Sequence, residues 1–287
     1  MARGFLAAFW LVACAAFVQP ATGRAQERPL RILLSNDDGF DAPGLQAMAD
    51  SLRPLGRVFV VAPREQQSGM GHSITYRDPI LVRRVLNDDS IPWFAVSARP
   101  ATVVRLAIEQ LMDSLPDLVV SGINPGENIG LSAWLSGTLA AAREAAFLGI
   151  PAIAVSLGGN EWQDYHAAAG FVRHLIERLI REGRLRAPLF LNINLPAGVA
   201  AAVPVVRVTR QSVKTSSQRY DRRTNPSGQL YFWDNWEPAA DDAEGTDLHA
   251  FKRGFITVTP LRIDQTAEDQ LGSLKSLERR ADSTRGR

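Results

Sequence analysis

The chain has 287 residues, 46% of them hydrophobic, which is enough for one large α/β domain or two small ones with a real core. Lys and Arg outnumber Asp and Glu by only 32 to 30, a balance that argues against the concentrated basic surface of a general nucleic-acid binder. Cys14 is the sole cysteine, so the mature chain is left with no internal disulfide, no thiol nucleophile and no cysteine-ligated zinc.

Residues 1–25 read as an export signal. Arg3 gives a basic start, Phe5 to Val18 is an unbroken apolar run, Pro20 ends it, and Gly23-Arg24-Ala25 offers small residues for cleavage. The run falls short of the ~20 residues that span a bilayer, so a periplasmic chain without a transmembrane segment is expected. Leu11-Val12-Ala13-Cys14 also resembles a lipobox, which offers lipidation at Cys14 as the alternative route.

Residues 26–278 are read as one domain. Arg31-Ile32-Leu33-Leu34-Ser35 is an apolar run of strand type, stopped by Asn36-Asp37-Asp38-Gly39. Leu45, Met48 and Leu52 then recur at helical spacing behind Pro43, and Val58-Phe59-Val60-Val61 is the next buried strand. Strand, helix, strand within about 30 residues is a βαβ unit and predicts a parallel sheet. Trp93 to Val96, Asp117 to Val120 and Ala152 to Ser156 predict further strands, and helices are expected near 101–112, 137–148 and 163–181. The segment 205–260 turns polar and aromatic, with Tyr220, Tyr231, Phe232, Trp233 and Trp236; it reads as a projecting elaboration, with a late strand at Phe255 to Thr259. Residues 279–287 are expected to be a disordered tail.

In an open α/β sheet, ligands bind beyond the carboxyl ends of the strands, where three polar loops of this sequence fall. In the first, Asp37 and Asp38 place adjacent carboxylates that a hard divalent cation such as Mg²⁺ or Mn²⁺ would relieve, although Asn36-Asp37-Asp38-Gly39 is equally good turn chemistry. The second, Gln66 to Ser73, reads by itself as a flexible surface loop, or else offers the Ser68 hydroxyl as a ligand and Gly69 for a backbone approach to an anion; its His72 is either an acid–base group or the maker of a local hydrogen bond. The third, Ser121 to Gly130, contributes Asn124, and the helix beginning at Ser136-Gly137-Thr138 provides either a simple N-cap or a phosphate site. The phosphate-binding signatures of dinucleotide and P-loop folds and the G-x-S-x-G elbow are absent from the sequence.

These loops resemble those of the SurE family of metal-dependent nucleotidases. The likeness runs through Arg31 to Gly39, Ala42-Pro43-Gly44, Val61-Ala62-Pro63, Ser68-Gly69, Val119 to Asn124, Gly126, Asn128, Gly130 and Ser136-Gly137-Thr138. It resumes at Asp221 to Thr224, Gly245-Thr246-Asp247 and Val258 to Leu261, so it covers nearly all of the mature chain. The resemblance implies a Rossmann-like α/β core with a mostly parallel sheet, one divalent metal ion held by Asp37, Asp38, Ser68 and Asn124, and hydrolysis of 5′- or 3′-nucleoside monophosphates. Asn36, Gly69, Ser136, Gly137 and Thr138 are then the substrate-binding candidates, with Asp37 and Asp38 catalytic. It also implies a homodimer or homotetramer built by exchange of C-terminal elements.

Two departures stand out. The family's usual Gly-Thr-Pro-x-Asp stretch is Ala98-Arg99-Pro100-Ala101-Thr102 here, and an acidic pair is replaced by Leu131-Ser132. Arg99 is thereby a candidate for an additional phosphate contact, and an export signal is itself unusual for the family. The competing readings are an exported nucleotide- or phosphate-binding module without catalysis, and a phosphatase for other phosphoesters such as short polyphosphate.

Overall fold

The computed structural model describes residues 28–85, 91–159, 164–198, 205–237 and 239–278. The expected export signal, the lipobox cysteine and the tail at 279–287 lie outside the described residues.

Apolar runs in the first half become strands β1 (Leu30–Ser35) and β2 (Gly56–Pro63), linked by helix α1 (Pro43–Leu52), with Pro43 in the first turn where no N–H is needed. A short edge strand β3 (Val82–Arg84) and β4 (Trp93–Val96) lead to α2 (Pro100–Leu106). Then come β5 (Leu118–Pro125), α3 (Gly137–Phe147), β6 (Ala152–Leu157), α4 (Tyr165–Arg181) and β7 (Phe190–Leu195). The last part adds β8 (Val206–Val208), β9 (Ser217–Thr224), β10 (Leu230–Glu237), α5 (Asp247–Lys252), β11 (Ile256–Pro260) and the exposed helix α6 (Glu268–Leu274).

Among the described residues the main sheet has nine strands in the order β3-β4-β2-β1-β5-β6-β7-β11-β8. Its central pairs are parallel, while β3 runs antiparallel to β4 and β11 antiparallel to β7. The α/β class and the mostly parallel sheet are as expected. Successive residues of β1 feed opposite faces: Ile32 and Leu34 pack under α1 and α4 with Leu45, Met48 and Val172, and Leu33 packs under α2 and α3 with Val104 and Leu139. Among the described residues no helix is long and apolar enough to cross a membrane.

Three local expectations are refined. The helix predicted over 101–112 ends its regular turns at Leu106 and continues through a wider turn, Ala107–Leu111, in which the Met112 N–H donates to the Ala107 carbonyl at 3.0 Å. The helix predicted from 163 begins at Tyr165, because Asp164 caps it by accepting the Ala167 N–H at 2.9 Å. The segment 205–260 is only partly an elaboration: β8 and β11 join the main sheet, and the β9–β10 hairpin stands off it with every strand residue exposed.

The sheet order reverses between β1 and β5, since β2 leaves β1 on one side and β5 sits on the other. A crevice opens beyond the carboxyl ends of strands at such a switch point. Helix α1 crosses close by: a Cβ added to Gly44 would lie 2.2 Å from the Ile123 carbonyl oxygen of β5 and 3.1 Å from the Tyr165 ring. Neither backbone can yield, so Gly44→Ala is expected to cost about 1–3 kcal/mol and to lower Tm by several degrees in thermal denaturation. An unchanged Tm would contradict this contact.

A candidate metal and phosphate site at the switch point

The loop after β1 is built around Asn36. Its amide nitrogen donates to the Gly39 carbonyl at 2.8 Å and its Oδ1 accepts the Gly39 N–H at 3.3 Å, while Phe40 N–H ties the loop to Pro63 of β2 at 2.9 Å. Asn36 is fully buried and both ends of its side-chain amide are engaged in building the turn.

The turn carries Asp37 and Asp38 at the carboxyl end of β1. Asp37 is 2% exposed and lies under the first turn of α3: the Thr138 hydroxyl donates to Oδ1 at 2.5 Å, and the backbone N–H groups of Gly137 and Thr138 also serve the carboxylate. A side chain at 137 has no room, since its Cβ would sit 2.6 Å from Asp37 Cβ. Ser136 is the N-cap, its Oγ accepting the Leu139 N–H at 3.2 Å. Of the predicted phosphate cradle at Ser136-Gly137-Thr138, the Thr138 hydroxyl and the Gly137 and Thr138 N–H groups engage the Asp37 carboxylate, while Ser136 caps the helix.

Burial nevertheless keeps the Asp37 carboxyl above its ordinary range, the helix hydrogen bonds only partly opposing it. Asp38 is pushed up to about 7, first by burial and then by the neighbouring Asp37 charge. Its Oδ2 is buried and, among the described residues, meets no hydrogen-bond partner. A buried carboxylate oxygen left without a donor is costly unless something else completes it.

The loop after β2 comes to the same place. Gln67 N–H donates to the Asp37 carbonyl at 2.7 Å, which ties the residue before Ser68 to the turn that bears the two carboxylates; Ser68 is exposed and Gly69, at φ +74°, borders open space. Asn124, half-buried at the end of β5, donates its amide nitrogen to the Pro125 and Gly126 carbonyls at 3.1 and 2.7 Å. That leaves Oδ1 without a protein partner among the described residues. The Arg99 guanidinium is held by Gln67 Oε1, so this departure from the family pattern braces the Ser68 loop.

The donors fit a hard divalent cation: two carboxylates, an amide oxygen and a hydroxyl are all oxygen ligands, and the orphaned Asp38 Oδ2 is the atom such an ion would satisfy. Among the described residues no group of three or more His, Cys, Asp and Glu side chains gathers as a metal site, so the neutral oxygens would have to complete the shell.

Three contributors were not singled out by the sequence reading. Tyr165, at the start of α4, stands close enough to Asp38 that burial and the Asp38 charge together raise its phenol. Asn128 anchors the glycine-rich loop: its N–H donates to Asn194 Oδ1 at 2.7 Å, its carbonyl accepts from Asn192 and Asn194, and its amide donates to Ser156. Asp247, fully buried, accepts N–H bonds from Gly130 at 2.9 Å and Ser212 at 2.7 Å, clamping the late chain to that loop. Asp247 stood only within the Gly245-Thr246-Asp247 match; nothing in its local pattern marks a partner 117 residues away.

Residues 32–218 match the family model described as Survival protein SurE. The chain is 42% identical over 249 residues to the 5′-nucleotidase SurE of Rhodopirellula baltica, covering 86% of this chain and 98% of that one. It superposes on the crystal structure of the SurE protein from Aquifex aeolicus with a TM-score of 0.76 at 35% identity, over 87% of this chain and all of the other.

The raised Asp38 carboxyl fixes a pH dependence. The folded chain binds this proton more tightly than the unfolded chain, so without a cation its stability falls as pH rises from the ordinary carboxylate range through about 7. A cation competes with the same proton. The rise in Tm on adding Mn²⁺ is therefore expected to be small near about pH 5.5 and larger near about pH 8, and to shrink at both in Asp38→Asn. Scanning fluorimetry checks this, and a Mn²⁺ effect that weakens with rising pH would refute it.

Proposed function

This chain belongs to the SurE family, and on that premise we propose that it is a divalent-metal-dependent phosphomonoesterase that releases phosphate from 5′- and 3′-nucleoside monophosphates. The observation that carries this reading is the adjacent Asp37 and Asp38, the first buried under α3 and the second with a buried, unpartnered carboxylate oxygen among the described residues, at the carboxyl end of β1. Asp37, Asp38, Ser68 and Asn124 would hold the ion, which, when bound, supplies Lewis-acid charge at the phosphoryl group.

The chain's own residues do the positioning. Helix α3 holds Asp37 through Gly137 and Thr138, so the carboxylate is oriented before substrate arrives. Gly69, open to solvent at positive φ, allows a phosphoryl oxygen to reach the backbone N–H groups of the Ser68 loop. The burial that raises Asp38 also thins out water around the reacting group, which strengthens each of these contacts.

Two further parts of the proposal concern where and how the chain works. Export to the periplasm is supported by the basic start, apolar run and small-residue site within residues 1–25. Assembly through the hairpin is supported by its surface: Tyr220, Phe232, Trp233 and Trp236 are 62, 53, 59 and 47% exposed on a two-stranded ribbon, which by itself is marginally stable in water. A second copy would cover these rings.

The direct test is phosphate release from 5′-AMP, 3′-AMP and 4-nitrophenyl phosphate with Mn²⁺, Mg²⁺ or EDTA. Release is expected with a divalent ion and not with EDTA, and Asp37→Asn is expected to lose several kcal/mol of transition-state stabilisation, about a thousandfold in rate. Full activity in EDTA would refute the metal dependence; tight nucleotide binding without product would mark a binding module. Replacing residues 217–237 by a short Gly-Ser turn should lower the assembly mass seen by light scattering, and an unchanged mass would remove the hairpin from the interface.

A further inference from the structure

Helix α3 touches the site at two heights. Its first turn holds Asp37, as above; two turns on, Glu144 projects from the same helix and is 3% exposed. Glu144 Oε2 lies 2.8 Å from His72 Nε2, and because an ionised carboxylate can only accept, the imidazole N–H is the donor. The other oxygen, Oε1, takes the Arg105 Nε–H of α2 at 2.5 Å. Burial alone would raise the Glu144 carboxyl, but the His72 hydrogen bond and the Arg105 charge outweigh it and hold it low, so it stays ionised. The imidazole also packs on Phe147 of α3, ring centroids 5.0 Å apart, and its Nδ1 is buried with no partner among the described residues.

His72 closes the loop that carries Ser68 and Gly69. One end of that loop is fixed by Gln67 N–H on the Asp37 carbonyl, and the middle by Gly71 N–H on the Leu135 carbonyl at 2.9 Å. Between these ties, Ser68 and Gly69 are exposed at the centre of a turn closed by the Met70 N–H on the Gln67 carbonyl at 3.4 Å, so their position follows from where the two ends of the loop are anchored. The far end has a charged anchor in the buried Glu144, seated on the helix that orients Asp37.

We infer that His72 is a positioning residue: clamped by Glu144 and Arg105, it holds the Gln66–Ser73 loop in register with Asp37, so that Ser68 and the Gly69 backbone meet the same ion and phosphoryl group as the carboxylates. This inference rests on the metal-dependent phosphomonoesterase reading. It assigns His72 no proton-transfer step; its ring donates to Glu144 and lies against Phe147. Partner groups that orient metal ligands from behind commonly govern affinity by 10–100-fold.

The variants should fold. Removing the imidazole leaves Glu144 still paired with Arg105, and removing the carboxylate leaves Arg105 half-exposed and solvated, so no charge is stranded in the interior. The test uses the whole chain in three versions: His72→Ala, His72→Gln, whose amide N–H reaches about where Nε2 does, and Glu144→Gln. Mn²⁺ binding without substrate is followed by the electron paramagnetic resonance signal of free ion. Turnover of 4-nitrophenyl phosphate is followed at saturating Mn²⁺ across pH.

His72→Ala and Glu144→Gln are expected to weaken Mn²⁺ binding about tenfold and to raise KM by a similar factor, with kcat changed by less than about threefold. The pH–rate profile should keep its shape, and His72→Gln should restore Mn²⁺ binding to within about twofold of the parent. Parent-like Mn²⁺ binding in His72→Ala would overturn the inference. So would a lost limb of the pH–rate profile that His72→Gln fails to restore, since the imidazole would then be moving a proton. Failure of the parent chain itself to bind Mn²⁺ would instead strike the metal-dependent reading, and this inference with it.

Discussion

Two adjacent carboxylates, one buried and one half-buried, are the constraint around which the rest of the structure is arranged. Asp37 and Asp38 repel each other, and their burial makes the repulsion expensive, to the point that Asp38 keeps its proton up to about 7. An ordinary turn would let both side chains swing into solvent. Here Asn36 locks the loop from within, and Thr138 with the N–H groups of α3 fixes Asp37 from above. The helix dipole and three donors act on one carboxylate, while the other retains an oxygen that no protein group among the described residues satisfies. The pair is asymmetric by design of its surroundings: one member is anchored and the other is left available.

That asymmetry depends on the sheet. Because β1 and β5 are neighbours while their following helices lie on opposite faces, the loops at their carboxyl ends part and leave a crevice between α1 and α3. Close contacts define its walls. Gly44 brings α1 against the Ile123 carbonyl and Gly137 brings α3 against Asp37, with spacing that a methyl group would destroy at either place. Helix α3 then serves two loops at once, Asp37 at its first turn and, through Glu144, the loop bearing Ser68. Rigid elements are what hold such a constellation to the tolerance that phosphoryl chemistry demands.

The late chain contributes by reaching back. Asp247 grips the Gly130 loop while Asn192 and Asn194 of β7 grip Asn128, so the segment carrying Asn124 is held from β7 and α5 as well as by bonds to its own neighbours in sequence. Between β8 and α5 the chain leaves the body as a ribbon with aromatic rings on its surface. A ribbon this exposed buries too little on its own account to define its position, which is the physical ground for assigning it a partner.

Much of this was written in the sequence. The parallel sheet followed from apolar runs alternating with helical spacing, since a strand covered on both faces needs no polar side, and the three polar loops followed from where those runs stop. Asp37, Asp38, Ser68 and Asn124 stood out as candidates because carboxylate, hydroxyl and amide oxygens in such loops have a limited chemical use. The joining of β8 and β11 to the main sheet was not legible, because short strands are decided by the partner waiting for them. Nor was the bond from Thr138 to Asp37, 101 residues away, legible in Ser136-Gly137-Thr138, which locally reads as a cap or a phosphate site. His72 and Glu144 are separated by 72 residues and Gly130 and Asp247 by 117. Local sequence fixes which groups a loop can offer, whereas the tertiary fold decides which of them find partners and which are left for a ligand, because a hydrogen bond acts over about 3 Å of space whatever the distance along the chain.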